Sequence, residues 1–316
     1  MKKIIVFLSA LATFAAFAIS CGNVTDPTEE NGGGGGGAGA GAGLTTNSFF
    51  RDDFDGTEIN KDIWTLCYQE YDANGKSPTW NRFFDNTGWE NVKVEGGYLK
   101  LKANHAPSSG GEYQQYKTGG VYTHNKKFTV GSRVTVRAVL VQGLDKQNIG
   151  SSFNVKGAFP AIWYYPLGTP NEWPADGEID LMEWIIDDPN RAWLTIQCLR
   201  TDGSARSETA NKSGVNTGIN MWDWHVYTCD ILKDKVILYI DGKEALEFTT
   251  TNPSDQKWYP YNDVAQYLIL NASYQNGSWG PGPDADNSAD YEMWVDYVVV
   301  EEIDPNNPDP ALPTYN

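Results

Sequence analysis

Val92-Lys93-Val94-Glu95-Gly96-Gly97-Tyr98-Leu99-Lys100-Leu101-Lys102-Ala103 alternates apolar and polar residues on both sides of a glycine pair. Alternation of period two is the signature of a strand with one face buried. A Gly-Gly pair supplies the two positive φ angles of a tight hairpin turn. The stretch therefore reads as an antiparallel hairpin. Val236 to Ile240, running into Asp241-Gly242, repeats the pattern. Val134, Val136, Ala138 and Leu140 alternate with other residues, as do Met293, Val295, Tyr297 and Val299. Each set is expected to line one face of a strand. Long helical periodicity and internal repeats are absent. Short strands between glycine-rich and proline-rich turns predict an all-β chain, with two antiparallel sheets packed as a β-sandwich jelly roll carrying a concave cleft.

Upstream of these strands the chain changes character. Met1-Lys2-Lys3 precedes an apolar run from Ile4 to Ile19, shorter than the roughly 20 residues of a comfortable membrane span. It reads as an export signal over residues 1–20. Cys21 follows Ala18-Ile19-Ser20, which resembles a bacterial lipobox and implies a lipid anchor on Cys21 at the cell surface or outer membrane. Residues 21–46 include a glycine and alanine tract from Gly32 to Gly43 with nothing to bury, so they form a flexible tether. No second linker follows. Residues 47–303 form one domain, expected to be monomeric, and 304–316 a tail.

The formal net charge is −17, and losing Lys2 and Lys3 with the leader makes it −19. Nucleic acid is excluded as a partner on that ground, and strongly anionic glycans are disfavoured. A neutral polysaccharide or glycan is the expected substrate. Cys67, Cys198 and Cys229 show no short C-x-x-C spacing, so a zinc cluster is not expected. A Cys198–Cys229 bridge and buried thiols remain equal alternatives. The chain holds 12 Trp and 17 Tyr, more than a sandwich core alone demands. Some, Trp279 among them, are expected to line a groove, where aromatic faces stack on sugar rings.

Asp176-Gly177-Glu178-Ile179-Asp180-Leu181-Met182-Glu183-Trp184 carries the chemistry. A regular strand would put Glu178, Asp180 and Met182 on one face and Glu183 on the other. One extra residue, a β-bulge at Leu181-Met182, returns Glu183 to the face of Glu178. The outer glutamates would then stand four strand steps apart, about 13 Å at roughly 3.3 Å per step. Side chains leaning inward would bring the carboxyls toward the ~5 to 5.5 Å separation of retaining glycosidases. Crowded like charges also raise the pKa of at least one member, keeping an acid protonated. The competing reading is a solvated acidic edge strand.

Glu178-Ile179-Asp180-Leu181-Met182-Glu183 resembles the motif of bulge-containing, laminarinase-like members of glycoside hydrolase family 16. The resemblance extends through Phe54-Asp55-Gly56, Trp64, Gly157 to Trp163, Trp173-Pro174, His225-Val226-Tyr227, Tyr239 to Gly242, Leu268 to Asn271 and Trp294 to Val298, in the family's order. It implies Glu178 as nucleophile, Asp180 as its assistant and Glu183 as general acid/base, with no cofactor for catalysis. It also implies Trp163 and Trp173 as sugar platforms, and a structural calcium at Asp296. Two positions depart from the pattern. Gln197 stands where a histidine is common, and Asn81-Arg82 lies in a stretch unlike the usual β-1,3-glucan-binding pattern. Asn81, Arg82 and Gln197 therefore bear on the sugar. Endo-hydrolysis of β-1,3 or mixed-linkage β-1,3-1,4-glucan is the leading expectation. An endo-β-galactosidase on N-acetyllactosamine-type chains comes second, and a non-catalytic glycan-binding lipoprotein third.

Overall fold

The computed structural model describes residues 49–67, 89–105, 116–123, 128, 130–142, 152–165, 177–199, 204–210, 214–249, 266–275, 279–283 and 290–306. Cys21, Asn81, Arg82 and Trp173, the tether and the tail beyond 306 lie outside them. Apart from a 3-10 turn at Trp89–Asn91, the regular elements are strands. In chain order they are β1 (Phe50–Asp52), β2 (Trp64–Leu66), β3 (Val92–Val94), β4 (Leu99–His105), β5 (Tyr116–Lys117), β6 (Gly119–Thr123), β7 (Ser132–Gln142) and β8 (Ala161–Tyr165). There follow β9 (Glu178–Glu183), β10 (Trp193–Leu199), β11 (Ala205–Thr209), β12 (His225–Ile231), β13 (Lys235–Ile240), β14 (Lys243–Thr249), β15 (Tyr267–Ala272) and β16 (Tyr291–Glu302).

Two sheets form, with every pairing between these strands antiparallel. The first runs β14-β13-β12-β7-β16-β4-β3, with β1 on β16 and β5 on β4; the second runs β11-β10-β9-β8-β15-β6-β2. The expected sandwich is thus the observed architecture. Both glycine hairpins are present, with Val94 opposite Leu99 and Ile240 opposite Lys243. Gly96 and Gly97 have φ of 66° and 81°, and Asp241 and Gly242 of 50° and 75°, which is the double left-handed backbone of a type I′ turn.

The main core lies between the sheets. Val134, Val136, Ala138 and Leu140 from β7 meet Ile162 and Tyr164 from β8, Leu194 and Ile196 from β10, and Leu268 and Leu270 from β15. β16 corrects one expectation. Met293 and Val295 face this core, but so do Val298 and Val300 rather than Tyr297 and Val299. The register against β7 slips between Val295 and Tyr297, so Asp296 is an extra residue that reverses the phase of the strand. Cys67, Cys198 and Cys229 remain buried thiols; Cys198 sits on β10 and Cys229 on β12, in different sheets.

Away from the core, Arg133 on β7 faces Asp230 on β12 and donates to it through Nε at 2.6 Å and a terminal nitrogen at 2.7 Å. Both side chains are almost fully buried. Removing one partner strands the other charge away from water, which typically costs about 3 to 5 kcal/mol. Asp230→Ala is therefore expected to lose about that much in urea unfolding, and a loss below about 1 kcal/mol would show the pair to be a passenger.

Candidate active site

β9 is an interior strand of the second sheet, flanked by β8 and β10. The acidic edge-strand reading is therefore wrong. Against β8, Met182 opposes Ile162 and Asp180 opposes Trp163, leaving Leu181 without a counterpart. Against β10, Glu183 opposes Trp193 and Asp180 opposes Thr195, again with one extra residue on β9. The expected bulge is present. Ile179, Leu181, Met182 and Trp184 all enter the core, two consecutive residues doing so because the bulge absorbs one step. Glu178, Asp180 and Glu183 are left together on the open face.

The three carboxyls sense one another. Asp180 is 1% exposed, and its pKa is driven well above the usual carboxylate range, first by burial, then by the charges of Glu183 and Glu178 and a hydrogen bond with Glu178. Glu183 is pushed up to about 8, first by burial and then by the charge of Glu178. A protonated Glu183 near neutral pH can give a proton to a leaving oxygen. Asp180, held neutral, can donate to Glu178 without adding a third negative charge.

Directly opposed residues in an antiparallel pair share a face, so the register also identifies the neighbours of the acids. Gln197 opposes Glu178 and donates from Nε2 to its Oε1 at 3.3 Å. Trp163 opposes Asp180, and its Nε1 donates to Asn271 at 2.8 Å. Asn271 in turn donates to the Ser273 hydroxyl at 3.1 Å, which donates to the Phe159 carbonyl at 2.6 Å. Ser273 N–H also donates to the buried Tyr291 hydroxyl at 2.7 Å, so Trp163 is anchored through this chain to the core. Tyr165, Ile269, Tyr122 and Cys67 complete its apolar surroundings. Two of the expected binding residues, Trp163 and Gln197, thus stand beside the acids. Asn271 and Trp193 were missed; counting back by twos from Gln197 reaches Trp193 and would have found it.

Asp296 lies on the first sheet, away from the acids. Its Oδ2 accepts from Arg137 at 2.5 Å, and it lines a small concavity with Arg51, Asp53, Asp55, Gly96, Gly97 and Tyr98. Arg51 pairs with Asp53 at 2.6 Å. Arg137 thus neutralises Asp296 and Arg51 neutralises Asp53, and among the described residues no three acidic, histidine or cysteine side chains converge to hold a metal.

A jelly roll with paired, charge-coupled carboxylates on an open face, one of them held as an acid, is built as a glycoside hydrolase. No family model matches the chain. It is 27% identical over 252 residues to a β-glucanase of Rhodothermus marinus, covering 73% of this chain and 78% of that one. It is 26% identical over 233 residues to a keratan-sulfate endo-1,4-β-galactosidase of Sphingobacterium multivorum, covering 73% of this chain but only half of that one. A solved structure from work on endo-acting O-glycanases with which human gut microbiota initiate mucin breakdown is 34% identical, with a TM-score of 0.64, covering 81% of this chain and 99% of that one. A family GH16 non-specific endo-β-1,3(4)-glucanase with a bound oligosaccharide is 25% identical, with a TM-score of 0.58, covering 83% and 97%. The chain belongs to glycoside hydrolase family 16, in its laminarinase-like branch.

Proposed function

We propose that Glu178, Asp180 and Glu183 carry out retaining endo-hydrolysis of a neutral β-glycan, with β-1,3 or mixed-linkage β-1,3-1,4-glucan first. The observation that carries this reading is the Leu181 bulge, which turns an otherwise split set of acids into a coupled trio. In the first step Glu183 gives its proton to the glycosidic oxygen while Glu178 attacks the anomeric carbon, and a glycosyl-enzyme ester forms as the leaving sugar departs. Esterification removes the charge of Glu178, one of the causes holding the Glu183 pKa up. Glu183, now a carboxylate, then takes a proton from water, whose oxygen attacks the anomeric carbon and releases Glu178.

A second reading, an endo-β-galactosidase on N-acetyllactosamine-type chains, draws support from the mucin and keratan relatives and from Gln197, an amide beside Glu178. The proposal includes export and a lipid anchor on Cys21, on the strength of the charged start, the apolar run and the cysteine that follows.

Digestion of laminarin, barley glucan, lichenan, agarose and keratan-type chains, followed by proton NMR of the first product, tests both parts. Fresh product is expected in the β configuration. An α product would refute the double displacement, and cleavage confined to keratan-type chains would install the second reading.

A further inference from the structure

We propose that Trp193 and Trp279 form an aromatic leaving-group subsite at the Glu183 end of the catalytic strand, taking a neutral sugar ring through its apolar C–H face; this rests on the assignment of Glu183 as proton donor. A proton donor defines the leaving side of the bond, because the oxygen it protonates belongs to the departing sugar. Whatever surrounds Glu183 therefore meets that sugar.

Trp193 is directly opposite Glu183 on β10, and Ala161 is directly opposite it on β8. Trp279 meets Trp193 edge to face at 5.4 Å between ring centroids, and Phe159, two residues before Ala161, at 5.7 Å. It thus touches β10 and the segment leading into β8, on both sides of the Glu183 end of β9. At 37% exposure Trp279 is the exposed large hydrophobic side chain among the described residues. One face of the Trp193 ring carries the Arg191 guanidinium, 3.8 Å from the ring centroid. Arg191 is itself tied to the Ala210 carbonyl at 3.0 Å. The Trp193 indole nitrogen is buried and finds no acceptor among the described residues. An aromatic wall whose exposed member is Trp279 suits a ring offering an apolar face.

The subsite also decides the fate of the glycosyl-enzyme, since an acceptor sugar bound there competes with water. The test uses full-length wild type, Trp279→Ala and Trp193→Phe, with laminarin or a keratan-type chain as donor, whichever the wild type cleaves. The acceptor is laminaribiose or N-acetyllactosamine to match. Transfer and hydrolysis products are separated by mass, and an aryl glycoside measures turnover with a leaving group that needs no sugar subsite. Loss of a stacking contact is expected to lower the transfer-to-hydrolysis ratio about three- to tenfold in Trp279→Ala. Aryl glycoside turnover is read beside the ratio, so that a general loss of activity is separated from a loss confined to sugar acceptors, and Trp193→Phe keeps an aromatic ring but loses the N–H. An unchanged ratio with retained product overturns the subsite and leaves the retaining reading standing. Inverted product without transfer overturns both.

Discussion

Glu178→Gln is expected to abolish glycan hydrolysis, by about 10⁴-fold or more in kcat, while leaving glycan binding within about threefold of wild type. The amide has the shape of the carboxylate but cannot form the glycosyl ester. Neither of the other two acids can replace it, because Asp180 is 1% exposed and Glu183 is the proton donor. The fold should not suffer. Glutamine keeps the size of the side chain, and its amide oxygen can still accept the hydrogen bond that links Asp180 to this position. Reducing-sugar release gives kcat, and calorimetric titration with an oligosaccharide of the cleaved glycan gives binding. Turnover within tenfold of wild type would mean that the coupled acids are not the reacting groups.

How much of this site could be read from sequence depended on whether a residue's type constrained its place. Gly96-Gly97 and Asp241-Gly242 were legible because the turn needs positive φ at two positions, which few residue pairs tolerate. The Leu181 bulge was legible through its consequence, since Glu183 cannot share a face with Glu178 without one extra residue. The Asp296 bulge was not. From Val295 to Val300 every residue but Asp296 is apolar, so both phases of the strand look alike, and the slip accompanies an ion pair with Arg137 from a strand more than 150 positions away. Trp193 was hidden for a related reason: a tryptophan at a strand start reads as core, and its place on the open face follows once Gln197 on the same strand is set beside Glu178. Asn271 was visible only as part of an apolar strand, although its side chain fixes Trp163.

Glu183→Ala makes the complementary prediction, and its effect should depend on the leaving group. On the glycan, where the departing oxygen needs a proton, kcat/KM is expected to fall about 10²- to 10⁴-fold. On an aryl glycoside with an acidic phenol the first step needs no proton, so the loss should be much smaller. Hydrolysis of the ester then becomes slow for want of a base. Azide, which attacks without one, should restore turnover and yield the β-glycosyl azide, the configuration that a second inversion demands. In the wild type, kcat/KM should decline as pH rises through about 8, because the active form carries the Glu183 proton and deprotonation removes it. That limb should vanish in Glu183→Ala. Burial is the first cause of the high pKa and the Glu178 charge the second. In Glu178→Gln, the Glu183 pKa followed by carbon NMR should therefore fall yet stay above the ordinary glutamate range. A return to that range would make charge rather than burial the dominant cause, and an unmoved value would show the two carboxyls to be uncoupled.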